Sequence, residues 1–151
     1  MYLLSVRKMV REGEYPQEYA KCYGRLFKVI RENKLTVTAP PMVLFHSEEF
    51  SPFGLDTEFA IPVKEYVTGT RDHTPGLCLK TVLHGPYSAL PSVYAKQRRW
   101  AEMEGYEGNG PLCEVYITDP SQVSSESELT TEIYYPVKKK ASLHPNSKEK
   151  K

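Results

Sequence analysis

The nonapeptide LDTEFAIPV at 55–63 returns as LTTEIYYPV at 129–137, with Leu, Thr, Glu, Pro and Val repeated at a constant offset of 74. Chance could give one such match, so the order of other landmarks decides whether the chain repeats itself. Gly13-Glu14-Tyr15 is answered by Gly85-Pro86-Tyr87, Tyr19-Ala20-Lys21 by Tyr94-Ala95-Lys96, and Pro40-Pro41 by Gly110-Pro111. The offsets drift by a few residues, which implies small insertions within a repeat. Two repeats, about 3–67 and 76–137, make one pseudo-symmetric domain whose halves meet at a seam where a concave site can form.

Within each repeat the local signals follow one order. In the first, 3–10 reads as a strand, Gly13 and Pro16 break it, and Tyr19, Tyr23, Leu26, Phe27 and Ile30 then recur at helical spacing up to Asn33. Pro40 and Pro41 deliver the chain into a short strand at 43–46, and a loop at 47–54 leads to another at 57–67. The second half predicts a strand at 77–84, a helix at 89–104 and strands at 113–118 and 130–137. Strand-helix-strand-strand, written twice, argues an α+β fold in which two helices cover one face of an antiparallel sheet.

Composition excludes several classes. With 151 residues, 40% hydrophobic and 26% charged, the chain suits one globular domain. The opening MYLLSVRKMVREG is too short and too soon charged for a secretory signal, and nothing in the sequence spans a membrane. Three widely spaced cysteines, with no C-x-x-C pair, imply neither a disulfide framework nor a metal site, so a reducing cytoplasm is the expected compartment. The net charge of +1 conceals a basic tail at 138–151 carrying six Lys and one Glu, expected to lack folded structure, which leaves −4 on the rest. No helix carries a basic stripe with base-reading side chains, so nucleic-acid binding through the globular part is not expected. No phosphate-cradling loop, nucleophile elbow or cofactor motif occurs.

Candidate site residues come from strand parity, because successive side chains point to opposite faces. Glu114, Tyr116 and Thr118 share one side of their strand, as do Glu132 and Tyr134 of the last. If the aliphatic sides pack against the helices, the far face gathers two carboxylates and two phenols on neighbouring strands. The first half places Leu44, His46 and Glu58 at related positions, so His46 and Glu58 join the candidates. Trp100 and Tyr94 are the second helix's candidates to line the seam, and His84 is a weaker candidate base. A carboxylate walled in by rings loses hydration and favours a flat, apolar, positively charged guest, each ring face adding roughly 0.5–2 kcal/mol.

The ordered set G-P-Y leading a helix with Y-A, then Trp100, Gly105-Tyr106, Gly110-Pro111, E-V-Y at 114–116, Asp119-Pro120 and LTTEIYYPV resembles the GyrI-like superfamily across about 3–137. That superfamily includes effector-binding domains of multidrug-responsive transcription activators and a small DNA gyrase inhibitor. The resemblance implies a duplicated fold with a ligand cleft between the halves, and aromatic-cation contacts at the positions of Glu114, Glu132 and Tyr134. It also implies two alternatives: hydrolysis of strained, cyclopropane-bearing electrophiles, with Glu114 or Glu132 as base toward water, and gyrase inhibition by protein contact. A DNA-binding regulator is a further implied partner, although no helix-turn-helix precedes the domain. Because Met1 stands almost at the first strand, an edge strand found in many members is expected to be short or missing.

Overall fold

A computed structural model describes residues 1–47 and 53–141. The order is β1 (Tyr2–Val10), α1 (Tyr15–Asn33), β2 (Met42–Phe45), β3 (Leu55–Val63), β4 (Thr70–Asp72), β5 (Cys78–His84), α2 (Leu90–Met103), β6 (Tyr106–Gly108), β7 (Leu112–Tyr116) and β8 (Thr130–Lys139). The antiparallel sheet runs β4-β1-β3-β2-β7-β8-β5, with β6 pairing β8 off this path. Read outward from the central β2·β7 pair, β2-β3-β1 on one side is matched by β7-β8-β5 on the other. The β2·β7 pair therefore lies at the middle of the sheet. The edge beside β1 is occupied by the three-residue β4, which pairs Leu3 with Arg71.

The nonapeptides become β3 and the greater part of β8, and their shared prolines show why they look alike. Proline has no N–H to give a ladder, so an inner strand holds one only where the neighbouring strand has ended. Pro62 lies just beyond the end of β2, and Pro136 just beyond the end of β7. Each proline carbonyl accepts from a loop N–H instead, Thr38 for Pro62 and Asn109 for Pro136, at 3.0 and 2.8 Å.

Helix α1 starts with Pro16 in its first turn, where a missing N–H costs nothing. It stops at Lys34, in the left-handed conformation at φ 53°, with the Leu35 N–H bonded back to the Ile30 carbonyl. Cys22, Leu26 and Ile30 form its buried stripe, against Leu4, Val10, Val43, Phe59, Ile61 and Val63. Full burial of such aliphatic side chains stabilises by about 1.5–3 kcal/mol each. Helix α2 docks on the same face through Leu90, Gln97 and Ala101. The Gln97 amide donates to Thr81 Oγ1 at 2.9 Å and to the Ile133 carbonyl at 3.3 Å, which is why a polar residue sits in the middle of its inner stripe.

The reverse face, which no α-helix covers among the described residues, carries a second core of Leu3, Met42, Leu44, Ala60, Cys113 and Val115. The strand expected at 57–67 ends at Val63, and β8 continues two residues past 137, with Lys138 and Lys139 paired to β6. Of the loop expected at 47–54, residues 48–52 lie outside the described residues, as does the tail from 142 onward. Among the described residues no helix is long and apolar enough to cross a membrane.

Candidate functional site

Both helices cover the same face, but α1 sits over β1 and β3 while α2 sits over β5 and β6, leaving the central strands open between them. A cleft of about 800 Å³ occupies that gap, within the range of small-molecule sites. Helix α1 supplies one wall through Tyr15, Tyr19, Tyr23 and Phe27, spaced four residues apart and so stacked along one side of the helix. Tyr87 and Leu90, at the entry to α2, supply the opposite wall. Glu114 and Tyr116 of β7 form the floor, and Pro40, Pro41 and residues 117–120 the rim.

The rings interlock. Tyr116 meets Tyr19 edge-on at 5.9 Å between centroids and Tyr87 at 5.7 Å, while Tyr19 and Tyr23 lie parallel at 6.3 Å. Hydrogen bonds run through them to the carboxylate. Tyr116 donates to Glu114 Oε1 at 2.7 Å, so the 2.8 Å contact between the Tyr19 and Tyr116 hydroxyls has Tyr19 as donor. Tyr23 donates to the Met42 carbonyl at 2.5 Å, and Tyr15 to Thr57 Oγ1 at 2.9 Å, since that hydroxyl already donates to the Leu55 carbonyl. Tyr15 and Tyr23 are thereby fixed from outside the cleft, and Tyr19 through Tyr116 on its floor.

Glu114 is 3% exposed, and Tyr116 is its one hydrogen-bond partner among the described residues. No Lys, Arg or His lines the cleft among them. Burial pushes the carboxyl up to about 7, against the pull of the Tyr116 hydroxyl. Burial also raises Tyr19, Tyr23 and Tyr116, so all three stay protonated donors near neutral pH. The chemical content of the cleft is thus a poorly hydrated carboxyl group, poised between its two protonation states and ringed by five tyrosines.

The sequence-based expectation that Glu132 and Tyr134 join Glu114 and Tyr116 is overturned by register. Cys113 pairs with Tyr134 and Val115 with Glu132, whereas Glu114 pairs with Ile133 and Tyr116 with Thr131. Paired residues share a face, so Glu132 and Tyr134 project from the reverse side of the sheet. The inference that the aliphatic side of β7 meets the helices is inverted as well: Cys113 and Val115 belong to the reverse core, and Val43 and Phe59 supply the apolar contact beneath α1. On the reverse face Tyr134 donates to Glu132 at 2.7 Å, and Lys80 lies 3.3 Å from the same carboxylate. The Tyr134 hydroxyl and then Lys80 hold Glu132 below its ordinary range.

The first-half candidates also sit behind the sheet. Glu58 accepts from Arg71 at 2.6 and 2.7 Å and contacts His46 Nε2 at 2.9 Å, a fully partnered carboxylate pushed down to about 2. Its partners include the Arg71 guanidinium and the His46 ring, and their hydrogen bonds outweigh the cost of burial. Trp100 stacks on Tyr106 at 5.7 Å and is 43% exposed, and neither it nor Tyr94 lines the cleft. His84 contacts Thr130 Oγ1 at 3.2 Å on the surface. Sequence reasoning missed Tyr15, Tyr19, Tyr23 and Tyr87 as cleft residues. The signal was present as an aromatic at every fourth position from 15 to 27, beside rather than within the aliphatic stripe at 22, 26 and 30.

The model of the GyrI-like small molecule binding domain matches residues 5–138, which include every strand and helix that contributes to the cleft. The chain belongs to the GyrI-like family. Among solved structures, this GyrI-like domain is similar to EcmrR in its complex with DNA (TM-score 0.77, 24% identity), covering 93% of this chain and 54% of that one. The domain thus spans about half the length of the EcmrR chain. The EcmrR C-terminal domain alone matches with a TM-score of 0.74 at 24% identity, covering 91% of each chain. A hydrolase encoded by lin2189 from Listeria innocua matches at 0.62 and 16% identity, covering 91% of this chain and 87% of that one. These identities speak to fold. No curated protein matches the sequence.

Proposed function

We propose that this GyrI-like domain captures small, amphipathic aromatic cations in the cleft, with Glu114 as the counter-charge. The observation that carries this reading is a buried carboxylate without a cationic partner, faced by tyrosine rings and by no basic side chain among the described residues. An ionised carboxylate in such a place is costly alone, and a bound cation removes that cost. Ring faces add roughly 0.5–2 kcal/mol each, and a ligand without charge receives only the apolar contact. The test is calorimetric titration with 2-naphthylmethylammonium and its neutral isostere 2-naphthalenemethanol at pH 8. We expect Glu114→Gln to weaken the cation roughly 10- to 100-fold while changing the alcohol by less than about threefold. Equal loss for both ligands would remove Glu114 from the role of counter-charge.

A second reading, favoured by the neutral-range titration of Glu114, is hydrolysis of an electrophilic ligand. A carboxylate with a pKa of about 7 is matched to taking a proton from water near neutral pH. Incubation with a cyclopropane-bearing alkylating compound, followed by mass spectrometry, separates host from enzyme. A water adduct formed by the wild type and not by Glu114→Gln supports hydrolysis, and unchanged compound after many hours at stoichiometric protein dismisses it.

A further inference from the structure

Alternation along β7 sends Glu114 into the cleft and its neighbour Cys113 through to the other side of the sheet. There Cys113 helps line a second cavity of about 480 Å³. Residues 73–76, which join β4 to β5, line it together with Cys78, Lys80, Pro111, Tyr134 and Pro136. The two cavities share the central strands as a partition and lie back to back.

Their chemistry is opposite. Among the described residues the cleft is lined by Glu114 and Asp119 and by no basic group, whereas the reverse cavity is lined by Lys80 and His73 and by no carboxylate. Three prolines and the Tyr134 ring give the reverse cavity flat apolar walls. Asn109 adds an amide, and the Lys80 ammonium stands 5.7 Å from the centre of the Tyr134 ring. Lys80 contacts Glu132 Oε2 at 3.3 Å while the Tyr134 hydroxyl engages the other oxygen, Oε1, at 2.7 Å, and an ammonium has three donors, of which that contact uses one. Capacity for an anion therefore remains at the mouth, above an apolar floor.

We propose that the reverse cavity is a second small-molecule site, which takes a flat apolar ligand bearing an anionic group, such as an aromatic carboxylate. The ring system lies against Tyr134 and the prolines, and the carboxylate meets Lys80 with His73 and Asn109 as neutral partners. This assignment is independent of the cation reading, because it concerns another face and other side chains.

The probe is 2-naphthoate, titrated into the whole chain by calorimetry, alone and with the cleft saturated by 2-naphthylmethylammonium. We expect one equivalent of naphthoate to bind whether or not the ammonium is present. Bound naphthoate should slow alkylation of Cys78 by N-ethylmaleimide at least fivefold, read by peptide mass spectrometry. Lys80→Gln should weaken naphthoate about tenfold and leave the ammonium unaffected. In Gly76→Phe the new side chain starts in open space on the cavity wall, with nothing within 4 Å of its Cβ, and should abolish naphthoate binding without a backbone clash. A melting curve matching the wild type confirms that each variant is folded. The assignment is overturned if the wild type takes up no naphthoate at millimolar concentration, if the ammonium displaces naphthoate, or if both variants keep full affinity. Failure of the ammonium alone to bind would count against the cation reading and leave this one standing.

Discussion

Replacing Glu114 by Gln is expected to stabilise the empty protein while removing its cation affinity, with both effects governed by one titration. The folded carboxyl ionises at about 7, and an unfolded one near 4.5. Between these values the folded chain keeps a proton that the unfolded chain releases. The stabilising contribution of the neutral form is therefore complete below pH 4.5 and lost as pH rises through 7. At about 1.4 kcal/mol per unit, ionised Glu114 costs roughly 3 kcal/mol above pH 8. Glutamine accepts the same hydrogen bond from Tyr116 and carries no charge. Urea unfolding should thus give variant and wild type equal stability near pH 4, diverging to roughly 3 kcal/mol in the variant's favour at pH 8. Ligand binding follows the same group in the opposite sense. At pH 5.5 about 3% of Glu114 is ionised, so 2-naphthylmethylammonium should bind the wild type roughly 30-fold more weakly than at pH 8.5, and the variant equally at both. Coincident stability of variant and wild type at pH 8 would refute the reasoning, because it would mean that water or a cation already compensates the carboxylate.

Tyr116→Phe removes the hydrogen bond that Glu114 accepts and the one that Tyr19 donates, so it should cost about 1–3 kcal/mol in urea and move the pH midpoint of cation binding upward. Arg71→Gln leaves buried Glu58 short of its strongest partner and should cost about 3 kcal/mol at pH 7. Because Glu58 is held at about 2, that contribution is present above pH 4.5 and fades as pH falls toward 2, so wild type and variant should converge in acid. Gly54→Ala should cost about 2 kcal/mol or more in thermal melts, since the residue sits at φ +99° and an added Cβ would meet the Val10 carbonyl oxygen at 2.2 Å. Trp100→Phe should leave cation affinity within about twofold of wild type, because the indole packs on Tyr106 outside the cleft.

Much of the architecture was legible because its signals are local or repeated. The i, i+4 recurrence from Tyr19 to Ile30 marks α1 wherever the helix docks, and Pro16 marks its first turn by sterics alone. The two nonapeptides both read as strands and become β3 and most of β8, with their prolines at 62 and 136 in matching places beyond the ends of β2 and β7. Parity along β7 likewise separates Glu114 and Tyr116 from Cys113 and Val115, since alternation is a property of one extended chain.

What sequence alone could not supply is the relation between strands. Whether Glu114 stands beside Glu132 or beside Ile133 depends on a one-residue choice of register, set by the 117–129 connection and by which face the helices cover. Composition offered no guide, because the helix-facing side of β7 is its polar side, made tolerable there by an open cleft and a ladder of tyrosines from α1. The sequence by itself determined the two helices, six of the eight described strands, their order, and the within-strand alternation that puts a carboxylate and a phenol on one side of β7, but not the short strands β4 and β6. Only the tertiary structure decided that Tyr15, Tyr19, Tyr23 and Tyr87 complete that site while Glu58, Glu132 and Tyr134 lie behind the sheet, because pairing register and helix placement are long-range choices made by the whole core at once.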